Sequence, residues 1–200
     1  MPIVHCSHGS VSFAIGSMKR KQTKRSSAKS TKNRTARRGA ELTHVDRQGR
    51  VRMVDIGDKP ITRREAVARA AIAMQAATLE AIVGGTLKKG EALAAARLAG
   101  IMAAKRTHEL IPLSHQIPLD VVEVDFAPAP ERAELEIEAR AVTQARTGVE
   151  IEALVAATAA ALTIYDMAKA IDRAMVIGAV RLIRKTGGRS GDFIRPGERL

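Results

Sequence analysis

Aromatic side chains are scarce in this 200-residue chain, which has no Trp, one Tyr and three Phe. A surface that holds single-stranded nucleic acid by stacking needs several such rings, so this function class is disfavoured from the outset. Cysteine is scarcer still. The single Cys6 permits no disulfide and no Cys-based zinc or iron–sulfur site within one chain, which fits a reducing cytoplasm. The uncharged run over 153–165 is well short of the ~20 residues that a membrane span needs. Acidic residues are missing from one place. Residues 1–40 hold ten Lys or Arg and no Asp or Glu, which leaves 23 basic against 21 acidic residues in 41–200. The net charge of +12 therefore sits in a Ser/Thr/Lys/Arg stretch that cannot build a core. Residues 1–40 are expected to be a disordered basic extension, and 41–200 a single α+β domain. The extension is a solvated tail, an upstream start, an organelle address, or an arm for a membrane surface or for nucleic acid bound through 19–38 without sequence preference. Its basic run follows the apolar patch at 11–15, the wrong order for a secretory signal.

Alanine and alternation dominate the rest. Residues 51–54 read as a first strand after a turn at Gln48-Gly49. Thr62-Arg63-Arg64-Glu65 has capping-box spacing and predicts an Ala-rich helix over 65–83, stopped by Gly84-Gly85. A second Ala-rich helix is predicted over 91–110, ending in cations that suit a helix C-terminus. Two prolines hold 111–119 extended. Residues 121–126 and 135–142 alternate as an antiparallel hairpin, with Glu134, Glu136 and Glu138 on its solvated face. Thr147-Gly148-Val149-Glu150 is another capping-box pattern, opening a long apolar helix that runs to Lys169. Residues 175–183 read as a last strand. The order β-α-α-β-β-α-β, without repeated βαβ units, argues for an α+β fold: an antiparallel sheet packed with Ala-rich helices.

The long helix carries the chemistry. Glu150 and Glu152 stand at its start, and Asp166 and Lys169 at its end. Charges at the ends of a core helix are costly unless paired or used. Asp166 and Lys169 are three apart on one face, either a plain ion pair or a functional one. Glu152 lies fourteen residues before Asp166, about 40° from eclipsed, so both are expected on one side of the helix. Glu150 reads as a cap. His115 is either a satisfied structural residue or an acid/base, and Lys105 either a dipole complement or a ligand-binding cation. Lys89, Lys105, Lys169, Lys185 and Arg189 sit near element ends in a nearly neutral domain, which suits a phosphorylated small molecule. Carboxylates beside lysines suit proton transfer. The Gly-rich segment over 185–192 has the make-up of a phosphate-wrapping loop, although its spacing is neither Walker nor Rossmann.

Several separated motifs resemble one family. They are Ala103-Ala104-Lys105-Arg106-Thr107, Leu110-Ile111-Pro112-Leu113-Ser114-His115, Thr147-Gly148-Val149-Glu150-Ile151-Glu152-Ala153-Leu154, Leu162-Thr163-Ile164-Tyr165-Asp166-Met167-Ala168-Lys169 and Ser190-Gly191-Asp192-Phe193. In this order they resemble the MoaC family, the cyclic pyranopterin monophosphate synthases of molybdenum cofactor biosynthesis, over about 42–193. The resemblance implies a ferredoxin-like α+β fold and a cytoplasmic homohexamer, a trimer of dimers with active sites at the dimer interface. It implies a lyase that turns 3′,8-cyclo-7,8-dihydro-GTP, supplied by a radical enzyme, into cyclic pyranopterin monophosphate and pyrophosphate. Asp166 and Lys169 would be catalytic. Leu113, Ser114, His115, Ile151 and Glu152 would contact substrate, and Lys89, Lys105 and Lys185 would serve the triphosphate and the catalytic centre. No redox cofactor and no protein-held metal is implied, and a divalent ion on the triphosphate is left open. Neither membrane nor nucleic acid is an implied partner. The chain departs from the family where Ser114-His115-Gln116 replaces the usual Cys-His-Pro. That departure motivates the alternative of a catalytically weakened scaffold.

Overall fold

The computed structural model describes residues 48–198. The basic extension expected over 1–40 lies outside them, as does Cys6. Five strands are present: β1 (Thr62–Ala73), β2 (Val121–Ala129), β3 (Glu134–Ala145), β4 (Val176–Thr186) and β5 (Phe193–Ile194). Helices α1 (Ala76–Val83), α2 (Ala92–Lys105) and α3 (Thr107–Leu110) join β1 to β2, and α4 (Glu150–Ala168) joins β3 to β4. All pairings are antiparallel, in the order β2-β3-β1-β4-β5. The first four strands thus make the ferredoxin-like α+β arrangement, with the helices on one face. The expected element order holds.

Its first two elements move. The helix expected over 65–83 is a strand as far as Ala73, and only its last eight residues, α1, are helical. Ala66, Ala68, Ala70 and Ile72 form a fully buried row facing the helices, while Glu65 and Arg69 point the other way. That is a period of two, hidden by alanine's high helix propensity. β1 is paired along both edges, with β3 and β4, and this tertiary pairing overrides local preference. Thr62 therefore opens a strand and caps nothing. At 51–54 only Val51 forms a bridge. The second helix ends at Lys105, five residues early, and the buried Thr107 hydroxyl donates to the Ala104 carbonyl at the break. Glu134, Glu136 and Glu138 lie on the open sheet face as expected, but they are paired to Arg132 and Arg69 and are not merely solvated.

α4 is the central core element. Ala153, Ala156, Ala157, Ala160, Ala161, Ile164 and Ala168 are fully buried against β1, β3 and α2. It has the length and hydropathy of a membrane span, as the core helix of a compact fold also can. α2 lies beside it. A Cβ on Gly100 would stand 2.9 Å from the Ala156 carbonyl oxygen and 3.1 Å from a Val124 methyl, so the contact is backbone-close. Gly100→Ala should therefore destabilise the fold by about 1–3 kcal/mol through overpacking, against the ~1 kcal/mol gain in helix propensity. Urea unfolding checks the sign, and a more stable variant would mean that the two helices can part at little cost.

Candidate active site

The two ends of α4 hold two different groups. At its C-terminal end, the Asp166 carboxylate accepts from Lys169 Nζ at 2.7 Å and from Lys89 Nζ at 3.0 Å. Lys89 Nζ also donates to the Asp166 carbonyl oxygen at 2.8 Å. Lys169 and then Lys89 hold the Asp166 carboxyl below its ordinary range, and Asp166 holds the Lys169 amine above its own. The pair therefore rests as carboxylate and ammonium. It offers a proton donor and positive charge, and no free amine base. Both side chains are half exposed, and the apolar Leu162 one turn earlier is exposed as well.

Lys89 also fixes the direction of α2. It precedes α2 and touches the end of α4, so the two helices run antiparallel and Lys105 falls beside the start of α4. The segment after α3 returns to the same end, where Asp120 N–H donates to the Val142 carbonyl of β3. On it, Leu113, Ser114 and His115 are half-buried. His115 Nε2–H donates to the Val54 carbonyl oxygen at 2.9 Å, so Nδ1 is the nitrogen left for another partner.

Glu152 faces inward on this same end and is almost fully buried. Burial, and secondarily the nearby Glu150 charge, push its carboxyl up to about 7, against a partial offset from its own backbone N–H. A group so poised can hold or give a proton near neutral pH. Ile151, by contrast, is exposed. α4 is unbroken between them, so Glu152 and Asp166 stay about 40° apart around its axis, and what differs is their cover. Glu152 lies on the flank that α2 covers, one turn before Ala156, whereas Asp166 is in the open.

At the start of α4, on the side of Glu150, lies a cavity of about 540 Å³, which Glu152 does not line. Lys59, Arg64, Arg146, Lys185 and Arg189 line it, with Asp58 and Glu150 as its acids. Glu150 is not held by a capping box: Val149 is the N-cap and Thr147 makes no cap bond. Instead Glu150 Oε1 accepts from Lys185 Nζ at 3.1 Å, and Gly148 gives the carboxylate room, since a Cβ there would meet Oε2 at 2.0 Å. Among the described residues, three buried side-chain polar atoms lack a hydrogen-bond partner: Thr62 Oγ1, Arg64 Nε and Glu150 Oε2. All three residues line this one cavity. Orphaned buried polar atoms are costly, and their convergence marks a place built for a polar ligand. A larger cavity, about 660 Å³, lies on the open sheet face. Its arginines Arg69, Arg132 and Arg181 are already paired with Glu138, Glu136 and Glu198, so it has less to offer an anion.

Within one chain, then, Lys105, Leu113, Ser114, His115, Ile151, Glu152 and Lys185 gather at one end of the helix layer. Lys89, Asp166 and Lys169 stand at the other. Sixteen helical residues, about 24 Å, separate Glu150 from Asp166. Arg64 and Arg146 are cavity residues that the sequence did not single out. Arg64 is only 9% exposed and has no ion-pair partner among the described residues. No cluster of three or more His, Cys, Asp or Glu among those residues could hold a metal.

The MoaC family profile matches residues 53–188. A cyclic pyranopterin monophosphate synthase of Pelotomaculum thermopropionicum is 60% identical over 157 residues, covering 78% of this chain and 92% of that protein. One from Chloroflexus aurantiacus is 59% identical over 156 residues, covering 78% and 96%. One from a Nostoc species is 55% identical over 157 residues, covering 78% and 94%. This chain belongs to the MoaC family.

Proposed function

We propose that this chain is a cyclic pyranopterin monophosphate synthase of molybdenum cofactor biosynthesis, a cytoplasmic lyase acting on 3′,8-cyclo-7,8-dihydro-GTP. The observation that carries the chemistry is the convergence of orphaned polar atoms and five cations in one cavity. The cations receive the triphosphate and stabilise pyrophosphate as it leaves. Glu152, raised toward neutrality, exchanges protons during ring opening and closure, with His115 alongside. Asp166 and Lys169 supply a second proton-transfer pair, with Lys89 holding Asp166 in place. The rearrangement needs no electron acceptor, so no redox cofactor is part of the proposal.

Two halves of a site about 24 Å apart cannot serve one small substrate within one chain. They can if neighbouring copies bring the Lys89–Asp166–Lys169 end of one chain to the cationic cavity at the start of α4 in another. The outer surface of the helix layer supports this. Leu98, Met102, Ile151 and Leu162 are exposed along α2 and α4, an apolar stripe that leads to Asp166. A homohexamer built from dimers, with each site shared between two chains, follows the family resemblance. The test is to supply cyclic dihydro-GTP to the purified full chain and follow cyclic pyranopterin monophosphate and pyrophosphate. Both products should appear in equal amounts. An intact oligomer that yields neither would sink the assignment. Mixing inactive Lys169→Ala and Glu152→Gln chains should restore part of the activity if sites are shared, and none if each chain works alone.

A further inference from the structure

The loop between β4 and β5 does more than carry Lys185 and Arg189 to the cavity. Gly187 and Gly188 both have left-handed backbones, with φ of 85° and 86°. Both also approach neighbours too closely for any side chain. A Cβ on Gly187 would stand 2.3 Å from the Arg63 carbonyl oxygen, and one on Gly188 would stand 1.5 Å from a terminal nitrogen of Arg64. The turn is moulded on the Arg64 guanidinium. Two hydrogen bonds close it. Gly191 N–H donates to the Gly188 carbonyl at 3.2 Å, and Gly187 N–H donates to Asp192 Oδ1 at 3.0 Å. Asp192 itself is exposed and is not part of the cavity lining.

We propose that Asp192 is a positioning residue: its carboxylate pins the Gly187–Gly188 turn against Arg64 and so keeps Arg64 aimed into the cavity, alongside Lys185, for an anionic phosphate chain. Arg64 lacks any carboxylate partner among the described residues, so the turn is its main restraint. Lys185 lies two residues before Gly187 at the same strand end, where strand pairing and Glu150 already hold it. The identity of the anion as the substrate's triphosphate rests on the lyase reading, whereas the loop mechanism does not.

The role needs a hydrogen-bond acceptor and not a charge, so Asp192→Asn and Asp192→Ala separate it from electrostatic alternatives. Inorganic pyrophosphate is the probe, titrated calorimetrically into the full chain. Wild type and Asp192→Asn should bind comparably, or the Asn variant more tightly, having lost a nearby negative charge. Asp192→Ala should bind about tenfold more weakly, the scale of one lost hydrogen bond to a charged acceptor. In turnover, Asp192→Ala should raise KM for cyclic dihydro-GTP about tenfold with kcat within about threefold, and Asp192→Asn should restore KM. Gly188→Ala, whose Cβ displaces Arg64 directly, should weaken pyrophosphate binding at least as much. Unchanged Kd and KM in Asp192→Ala would overturn the proposal, as would an Asn variant as impaired as the Ala variant. Pyrophosphate binding with these rankings but no turnover in wild type would sink the lyase reading and leave the positioning role standing.

Discussion

Lys169→Ala and Asp166→Asn should each lower kcat for cyclic dihydro-GTP by roughly 10²–10⁴, the usual worth of a positioned proton-transfer group, while folding normally. Both side chains are half exposed in the single chain, so little folding stability rests on their ion pair. Their charge states follow from each other. The Lys169 and Lys89 ammonium groups favour the Asp166 carboxylate, and that carboxylate favours the Lys169 ammonium. On the lyase reading Lys169 would then act as a proton donor and a fixed positive charge, with Asp166 as its orienter. Such a unit is not additive: the double variant should lose no more than the worse single variant. Lys89→Ala should show a smaller loss, because Lys169 still holds Asp166 when Lys89 is gone. Steady-state kinetics with matched circular dichroism check all three. Substantial turnover in both single variants would remove the pair from the mechanism and leave it an exposed ion pair.

That pair was legible in the sequence because charge stood out against an uncharged run. Three apart on a helix fixes one face, and the structure keeps Asp166 and Lys169 in contact. Lys89 was legible as a cation near an element end, but its contact with Asp166 was not, since nothing local points from a loop to a residue 77 positions away. The β1 strand was misread because alanine satisfies a helix and a buried strand alike. The clue was present: Glu65 and Arg69 fall on one side of a period of two and Ala66, Ala68 and Ala70 on the other, along a segment that ends well before Gly84. Missing that strand also hid Arg64. In a capping-box pattern nothing marks it, whereas on a strand it lines the cavity under Gly188. Glu150 was misread for a related reason. Thr-x-x-Glu spacing fits a capping box, but it does not say whether the Glu turns back to the helix N-terminus or outward to Lys185. The family resemblance named the remaining residues, yet which of them share an end of the helix layer depends on the direction of α2, which no spacing shows.

Glu152→Gln should reshape the pH dependence of both stability and activity. The Glu152 carboxyl sits at about 7 in the folded chain, above its ordinary value of 4.5, chiefly through burial. Between those two values the folded state holds a proton that the unfolded state has released. The stability linked to this group is therefore fully present below about pH 4.5 and is lost as pH rises through about 7. Its full span is on the order of 3 kcal/mol, at 1.36 kcal/mol per unit. Gln keeps the shape of the neutral acid and cannot ionise. The variant should thus match wild type at low pH and exceed it above pH 7 by about 2–3 kcal/mol, which urea titrations at several pH values would read directly. Activity should move the other way. If Glu152 exchanges protons with substrate, kcat/KM of wild type should break near pH 7, and the Gln variant should lose both the break and roughly 10²–10⁴ of its rate. A residue whose neutral mimic stabilises the fold while abolishing turnover is kept for its chemistry. A Gln variant with wild-type activity and the wild-type slope of stability against pH would show instead that Glu152 is ionised in place and that the proton it was assigned travels through another group, with His115 Nδ1 the next to test.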